Sequence, residues 1–301
     1  MRLGPKTRVV VTGASGTLGW TLCEMLAHRC DVTGTYLSHP CVPEGVRGVE
    51  LDLGDTTSIR AIMEPERPDI IIHAAAITDP DECENDPEKA FRVNFEATHE
   101  IALLAADLGA RLVYVSTDLV FDGKKGDYHE EDPPCPLSIY GMSKLRGEEA
   151  VLDACPGALV LRSALIYGFG SPTSKTFLGR MLESLSEGRR MQLFTDQMRN
   201  PILVDDLAAG IFRAIEEDLS GLYHLGGGEA ASRYEFGRRV CQVFGLGDDL
   251  LVPVTMDDVV FPAKRPLDAT LNTSKFKAST SFVPCDLLVG LARAAQKHTA
   301  H

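Results

Sequence analysis

The chain has 301 residues, of which 44% are hydrophobic and 24% are charged, and its formal net charge is −13 at pH 7. This length allows one large domain or two unequal ones, and the acidic balance argues against nucleic acid or an anionic membrane surface as a partner. The eight cysteines are scattered and never form a CxxC, which disfavours a zinc site and a disulfide scaffold. Scattered cysteines are typical of a reducing cytoplasm, which we expect as the compartment, and the histidines and acidic residues show no metal-ligand spacing, so we predict no metal. No apolar run reaches about 18 residues, so we expect no membrane span.

Short apolar runs recur along the first half of the chain, with helical stretches between them. We predict strands at 8–13, 31–36, 48–53, 69–76, 111–117 and 158–168, and helices at 18–29, 57–66, 87–109 and 140–154. Valine and isoleucine dominate the strand runs without alternating with polar residues, as in strands buried on both faces. The pattern predicts an α/β fold, a Rossmann-type doubly wound parallel sheet that binds ligands at the carboxyl ends of its strands.

The composition changes after Gly168. Residues 168–174 are rich in proline, serine and glycine, a helix is predicted at 175–188, and 250–285 is interrupted by prolines. We therefore predict an NAD(P)-binding domain over residues 1–165, with a return contribution from about 202–225, and a mainly substrate-binding lobe over 166–301.

The first predicted strand runs into a glycine-rich turn, TGASGTLG, that opens the first helix. Its GxxGxxG spacing would let the backbone turn tightly and approach a pyrophosphate at the helix N-terminus. The alternative is a glycine turn without a ligand, but the strand before it and the helix after it favour a nucleotide cofactor. The predicted cofactor contacts from this turn are Gly13, Ser15, Gly16, Thr17, Leu18 and Gly19.

The adenosine end of the predicted cofactor site is less distinctive. An acidic residue about 20 positions further on usually binds the ribose, but here the second strand ends in TYLSHP. Ser38 and His39 could accept a 2′-phosphate, which favours NADP(H), with NAD(H) as the alternative. The alternative is that these two residues have no role, as is common for an exposed serine and histidine in a loop.

The third and fourth strands supply further candidates. Asp52 and Leu53 end the third strand, where a carboxylate could accept the adenine amino group or could simply be solvated. The fourth strand ends in the small residues Ala74, Ala75 and Ala76, which leave room for a dinucleotide, although alanine is also common in cores.

The fifth strand ends in VSTDLVFDG, and IYGMSK follows with a tyrosine four residues before a lysine. Reducing a ketone requires a hydride on carbon and a proton on oxygen, and a phenol with a pKa of about 10 is poorly matched to neutral pH. A lysine at i+4 lies on the same helix face, and its charge favours the phenolate. We predict that Tyr140 donates the proton, that Lys144 assists it and that Thr117 hydrogen-bonds the substrate carbonyl.

Taken together, TGxxGxxG, the alanine-rich fourth strand, Asn94 in RVNFEAT, the STD of the fifth strand and YxxxK resemble the extended short-chain dehydrogenase/reductase family. RPDIIIHAAAITDPDECENDP, STDLVFDG and KRPLDATLNTSK are similar to the dTDP-4-dehydrorhamnose reductase family within it. The resemblance implies NAD(P)H-dependent reduction of a nucleotide-linked 4-keto-6-deoxy sugar. It places Thr117, Tyr140 and Lys144 at catalytic positions, Gly13, Gly16, Gly19 and Asp52 at cofactor positions, and Asn94 at a position associated with the active site. Asn94, Tyr140 and Lys144 are also predicted cofactor contacts.

The substrate end departs from the family pattern at one position. These reductases usually read STDYVF, and Leu119 stands where they have a tyrosine, which leaves the exact sugar open. Thr78 and Asp118 are substrate candidates. Arg199 and Arg265 are candidates for the sugar nucleotide's pyrophosphate, because guanidinium binds phosphate oxygens through paired hydrogen bonds; the alternative is a solvated surface charge.

Two other functions stay open. Another sugar-nucleotide ketoreductase or epimerase could use the same frame. The chain also resembles the regulatory beta subunit of methionine adenosyltransferase, which keeps the cofactor fold and binds a catalytic partner. The sequence does not decide whether the chain forms a homodimer.

Overall fold

The computed structural model describes residues 3–299. The strands, in chain order, are β1 (Arg8–Thr12), β2 (Asp31–Tyr36), β3 (Arg47–Glu50), β4 (Ile70–His73), β5 (Arg111–Thr117), β6 (Leu159–Ser163), β7 (Ile166–Tyr167), β8 (Met191–Phe194), β9 (Met198–Arg199), β10 (Ile202–Leu203), β11 (Gly221–Leu225), β12 (Ala231–Ser232) and β13 (Leu251–Val254). Seven of them form a parallel sheet in the order β11-β6-β5-β4-β1-β2-β3. The predicted α/β, Rossmann-type fold is confirmed.

Helices cover both faces of this sheet. They are α1 (Thr17–Ala27), α2 (Thr56–Met63), α3 (Pro80–Asn85), α4 (Pro87–Phe91), α5 (Ala97–Leu108), α6 (Ile139–Ala154), α7 (Phe177–Ser186), α8 (Val204–Glu216), α9 (Arg233–Phe244), α10 (Ser274–Thr280) and α11 (Leu287–Thr299). Val9 and Val11 of β1 pack in the cluster that includes α1 and α8, whereas Val10 packs in the cluster of α2, α5 and α6. Burial on both faces explains why the strand runs lack polar alternation.

Two predicted elements are interrupted. The predicted helix at 87–109 consists of α4, a π-helical turn over Arg92–Glu96, and α5. A π turn is usually a single turn inside an otherwise α-helical segment, so the prediction from sequence gave one continuous helix. The predicted strand at 158–168 splits into β6 and β7, because β7 leaves the main sheet and pairs with β10.

The C-terminal part contributes both to the sheet and to a separate core. β11 pairs with β6 at the sheet edge, and α8 packs beside α1. A second core forms where α7, α9 and α11 pack over the β8 and β13 pair. The division into domains at about residue 165 stays a prediction. Within residues 3–299, no helix combines the length and apolar character that crossing a membrane requires.

Candidate active site

A cleft of about 1200 Å³ opens at the carboxyl ends of the sheet strands. Both the glycine turn after β1 and residues of α7 and α9 line it, so the sheet forms one wall and the C-terminal part the other. The predicted site residues that line the cleft are Gly13, Ser15, Gly16, Thr17, Leu18, Gly19, Asp52, Leu53, Ala74, Ala75, Ala76, Thr78, Thr117, Asp118, Tyr140, Lys144, Arg199 and Arg265. Ser38, His39 and Asn94 do not line it.

The glycine turn fits the pyrophosphate of a dinucleotide. Gly13 has φ +72, a left-handed conformation that glycine adopts readily, and a Cβ there would lie 3.0 Å from Ala75 Cα. Gly16 is the N-cap of α1 but makes no side-chain capping bond, and the first turn carries no acidic residue. The first N–H groups of α1 are therefore free to bind an anion in the cleft, where the helix dipole favours negative charge.

Close packing of this turn makes Gly19 sensitive to any side chain. A Cβ at Gly19 would collide with the carbonyl group of Gly13, which is backbone and cannot rotate away. We expect Gly19→Ala to weaken NADPH binding roughly tenfold or more, because the turn must shift from the geometry that receives the pyrophosphate. Fluorescence titration with NADPH tests this, with Gly157→Ala as a control because a Cβ there meets nothing within 4 Å. Equal NADPH affinity in both variants would contradict the expectation.

The adenosine end is formed by the residues that follow β2 and β3. Asp52 Oδ1 accepts a hydrogen bond of 2.7 Å from the Gly54 amide, which orients this carboxylate at the cleft wall. Ser38 and His39 are exposed, and the Ser38 hydroxyl lies 3.0 Å from His39 Nδ1. Their contact with a 2′-phosphate stays a prediction.

Thr117 and Tyr140 meet at the inner end of the cleft. Thr117 ends β5, and Tyr140 lies in the first turn of α6, whose N-cap Ser138 accepts a hydrogen bond from the Gly141 amide. Tyr140 is 8% exposed, and burial raises its pKa above the usual value more than its hydrogen bond with Thr117 lowers it. The phenol is therefore protonated at neutral pH, which is the state that a proton donor needs.

Lys144 lies one turn further along α6 and is bound to the sheet. Its Nζ donates a hydrogen bond of 2.8 Å to Val115 O and lies 4.1 Å from the centroid of the Tyr114 ring. Burial lowers the pKa of Lys144 to about 7, and the charge of Glu148 opposes this shift. The assistance that the sequence predicts from Lys144 to Tyr140 stays a prediction.

Asn94 lies behind the cleft wall and holds two parts of it. In the π turn, its side chain accepts a hydrogen bond of 2.9 Å from Ile77 N and donates to Ile77 O at 3.0 Å and to Ser143 Oγ at 3.1 Å. Asn94 is 1% exposed. These bonds fix the loop that carries Thr78 to helix α6, so the observed contacts are those of a positioning residue.

A buried ion pair that the sequence did not predict anchors helix α6 to strand β6. Glu148 in α6 binds Arg162 in β6 with a distance of 2.7 Å between Oε2 and Nη2, and both side chains are 3% exposed. Ser116 donates to Glu148 Oε1 at 2.5 Å. His224 Nδ1 lies 3.0 Å from Tyr128 O, and burial followed by the charge of Arg162 lowers the pKa of His224 to about 3. The one sequence signal was a charged residue inside the apolar run ALVLRSALIYG.

Basic residues dominate the cleft wall although the chain as a whole is acidic. The basic lining residues are Lys89, Arg92, Lys144, Lys175, Arg180, Arg199, Arg233 and Arg265, and the acidic ones are Asp52, Asp79, Glu82 and Asp118. This balance favours an anionic ligand. Within residues 3–299, His, Cys, Asp and Glu side chains form no group of three that could hold a metal ion.

Comparison with known proteins agrees with this geometry. The RmlD substrate binding domain family matches residues 7–300. The chain belongs to this family. It is 34% identical to the probable low-salt glycan biosynthesis reductase of Haloferax volcanii, over 88% of this chain and 89% of that protein. It is 33% identical to methionine adenosyltransferase 2 subunit beta of Pongo abelii, over 91% of this chain and 82% of that one.

Proteins of known structure support the same membership. The dTDP-4-dehydrorhamnose reductase of Bacillus anthracis, whose structure contains NADP, superposes with a TM-score of 0.87 and 27% identity. The match covers 97% of this chain and 99% of that one. The predicted resemblance to the reductases and to the regulatory beta subunit is confirmed at the level of the RmlD substrate binding domain family.

Leu119 is the family departure noted in the sequence, and it contributes to the wall beside Tyr140. It lines the cleft and packs with Ile77, Cys83 and Tyr140. An apolar side chain here offers no hydroxyl to a sugar. Thr117, Tyr140 and Lys144 of this member of the RmlD substrate binding domain family remain together in the cleft.

Proposed function

We propose that the chain is an NAD(P)H-dependent reductase of a nucleotide-linked 4-keto-6-deoxy sugar, with dTDP-4-dehydrorhamnose as the first candidate substrate. One observation carries the proposal: Thr117, Tyr140 and Lys144 share a cleft with an uncapped glycine turn suited to a pyrophosphate. The similarity to a reductase of Haloferax volcanii and to a dTDP-4-dehydrorhamnose reductase with NADP supports the reaction class and the cofactor.

Thr117, Tyr140, Lys144 and Asn94 have different parts in this reaction. A dinucleotide held by the turn over residues 13–19 supplies the hydride when bound. Tyr140 donates the proton to the carbonyl oxygen, and Thr117, which lines the same cleft, hydrogen-bonds that oxygen. Lys144, fixed through Val115 O, lies on the same helix face and stabilises the phenolate that remains after proton transfer. Asn94, behind the cleft wall, holds the loop that carries Thr78 against helix α6 through its hydrogen bonds to Ile77 and Ser143.

The proposal is tested by following the absorbance of NADPH, and separately of NADH, with dTDP-, UDP- and GDP-linked 4-keto-6-deoxy sugars. We expect oxidation that depends on the sugar nucleotide, fastest with dTDP-4-dehydrorhamnose. Binding of NADPH without oxidation by any of these sugars would refute the reductase assignment.

A regulatory role is the second candidate, because the chain is 33% identical to a methionine adenosyltransferase subunit beta over 91% of its length. In that case the purified chain would bind NADPH, would reduce no sugar, and would form a stoichiometric complex with a methionine adenosyltransferase catalytic subunit. Size-exclusion chromatography of the mixture distinguishes the two candidates.

A further inference from the structure

Two arginines at the substrate end of the cleft have buried donor atoms that find no acceptor within residues 3–299. These atoms are Nη1 of Arg233 and Nη1 of Arg265, and both residues line the cleft. Leaving a buried charged donor unpaired costs roughly 1–3 kcal/mol or more. An anionic ligand in the cleft would satisfy both atoms.

Arg233 is held so that its free nitrogen has a defined direction. It is the first residue of α9, which begins with a capping box between Ser232 and Glu235. Its Nε donates to Gln197 Oε1 at 2.9 Å, and the guanidinium carbon lies 4.8 Å from the centroid of the Phe177 ring. A planar guanidinium fixed by a hydrogen bond and an aromatic face is preorganised, so binding a ligand would restrict it little further.

Arg199 is the other arginine that the sequence predicts as a pyrophosphate ligand, but its guanidinium is bound by groups of the protein. Its Nε lies 3.2 Å from Asp118 Oδ2. Its Nη1 donates to Met198 O at 2.6 Å and to Leu267 O at 3.2 Å, and its Nη2 donates to Pro266 O at 3.0 Å. Three of its five N–H donors are thus used in hydrogen bonds, a fourth lies on the nitrogen that faces Asp118, and that carboxylate balances its charge. Little donor capacity remains for a phosphate.

Arg265 also keeps a donor atom unpaired. Its Nη2 donates to Asp81 Oδ2 at 2.8 Å, and its guanidinium carbon lies 4.1 Å from the centroid of the Phe261 ring. Asp81 Oδ1 also accepts a hydrogen bond of 3.1 Å from Ala263 N, which fixes the segment that carries Arg265. The position of Arg265 is therefore set while its Nη1 remains unpaired.

The surroundings of Arg233 are electropositive. Burial, followed by the nearby charge of Arg199, lowers the pKa of Arg233 to about 9. Helix α7 begins at the same wall, where Thr176 and Phe177 line the cleft. Its first N–H groups add partial positive charge. Such a site suits a ligand with at least two negative charges.

We propose that Arg233 and Arg265 bind the diphosphate of the nucleotide-linked substrate, and that Arg199 is a positioning residue for Asp118. This inference deepens the proposed function and rests on it. Arg233 is then a residue that distinguishes nucleotide sugars from free sugars.

The test is isothermal titration calorimetry of dTDP and of inorganic pyrophosphate, with saturating NADPH present so that the glycine turn is occupied. Arg233→Gln is compared with Arg238→Gln, which removes the same charge from the same helix at an exposed pair with Asp248. We expect Arg233→Gln to weaken both ligands roughly tenfold or more, and Arg238→Gln to leave both within about twofold.

The outcomes separate this inference from the proposed function. If Arg233→Gln binds dTDP as tightly as the unmutated chain does, the inference is overturned even if the enzyme reduces the sugar. The inference is also overturned if the unmutated chain binds neither dTDP nor pyrophosphate. Arg233-dependent binding of dTDP without reductase turnover supports the inference and refutes the proposed function. If Arg233→Gln also loses NADPH binding, Arg233→Lys decides: dTDP affinity about threefold weaker or more supports the inference, and unchanged affinity contradicts it.

Discussion

Replacing Tyr140 by phenylalanine is expected to lower kcat by roughly 100- to 10,000-fold, the range that a positioned general acid contributes. The phenol is buried and lines the cleft with Thr117, and burial keeps it protonated, so phenylalanine removes the proton while filling nearly the same space. Affinity for NADPH should stay within a few-fold, because the glycine turn lies elsewhere in the cleft. Turnover is measured from the absorbance of NADPH and affinity by fluorescence titration.

The matched control is Tyr223→Phe, which removes a phenol outside the cleft lining, next to Phe276. It should leave kcat within about twofold. Wild-type turnover of Tyr140→Phe would show that another group donates the proton. If Tyr140→Phe loses both NADPH binding and turnover, the phenol is needed for the folded structure of the cleft rather than only for proton transfer.

Replacing Glu148 by alanine is expected to lower the free energy of unfolding by about 3–5 kcal/mol, because it leaves the Arg162 charge buried and unpaired. Arg162 is 3% exposed, and Glu148 accepts its Nε and Nη2 donors as well as the Ser116 hydroxyl. The neighbouring Glu149→Ala removes the same group from an exposed pair with Arg146 and should change stability by less than about 1 kcal/mol.

Urea unfolding of the two variants measures this difference. A loss of similar size in both would mean that helix α6 depends on its surface charges rather than on the buried pair. A negligible loss in Glu148→Ala would mean that water or a rearranged side chain compensates Arg162.

Local patterns predicted the parts of the site that lie close together in the chain. The glycine turn, the tyrosine and lysine of α6 and the hydroxyl at the end of β5 follow from spacing and from strand ends, because a parallel sheet brings its carboxyl ends to one edge. The apolar strand runs predicted the sheet for the same reason: both faces are buried, so valine and isoleucine are uninterrupted.

Features that depend on distant partners could not be predicted in this way. Arg233 bonds Gln197, which is 36 residues away, and stacks on Phe177, so only the folded chain shows that its Nη1 is free. The pairing of Glu148 with Arg162 joins a helix to the following strand. The spacing of these residues in the sequence does not show whether their charges are buried and paired or exposed to solvent. The sequence shows that leucine stands at position 119, but it does not show what this side chain does to the choice of substrate.

The measurement that tests the central claim most directly is the transfer of deuterium from NADPH labelled at the nicotinamide C4 to dTDP-4-dehydrorhamnose, followed by mass spectrometry of the product sugar. The account predicts one deuterium on the former carbonyl carbon with wild type and none with Tyr140→Phe. Unlabelled, unreduced sugar after incubation with wild type that has bound NADPH would contradict it.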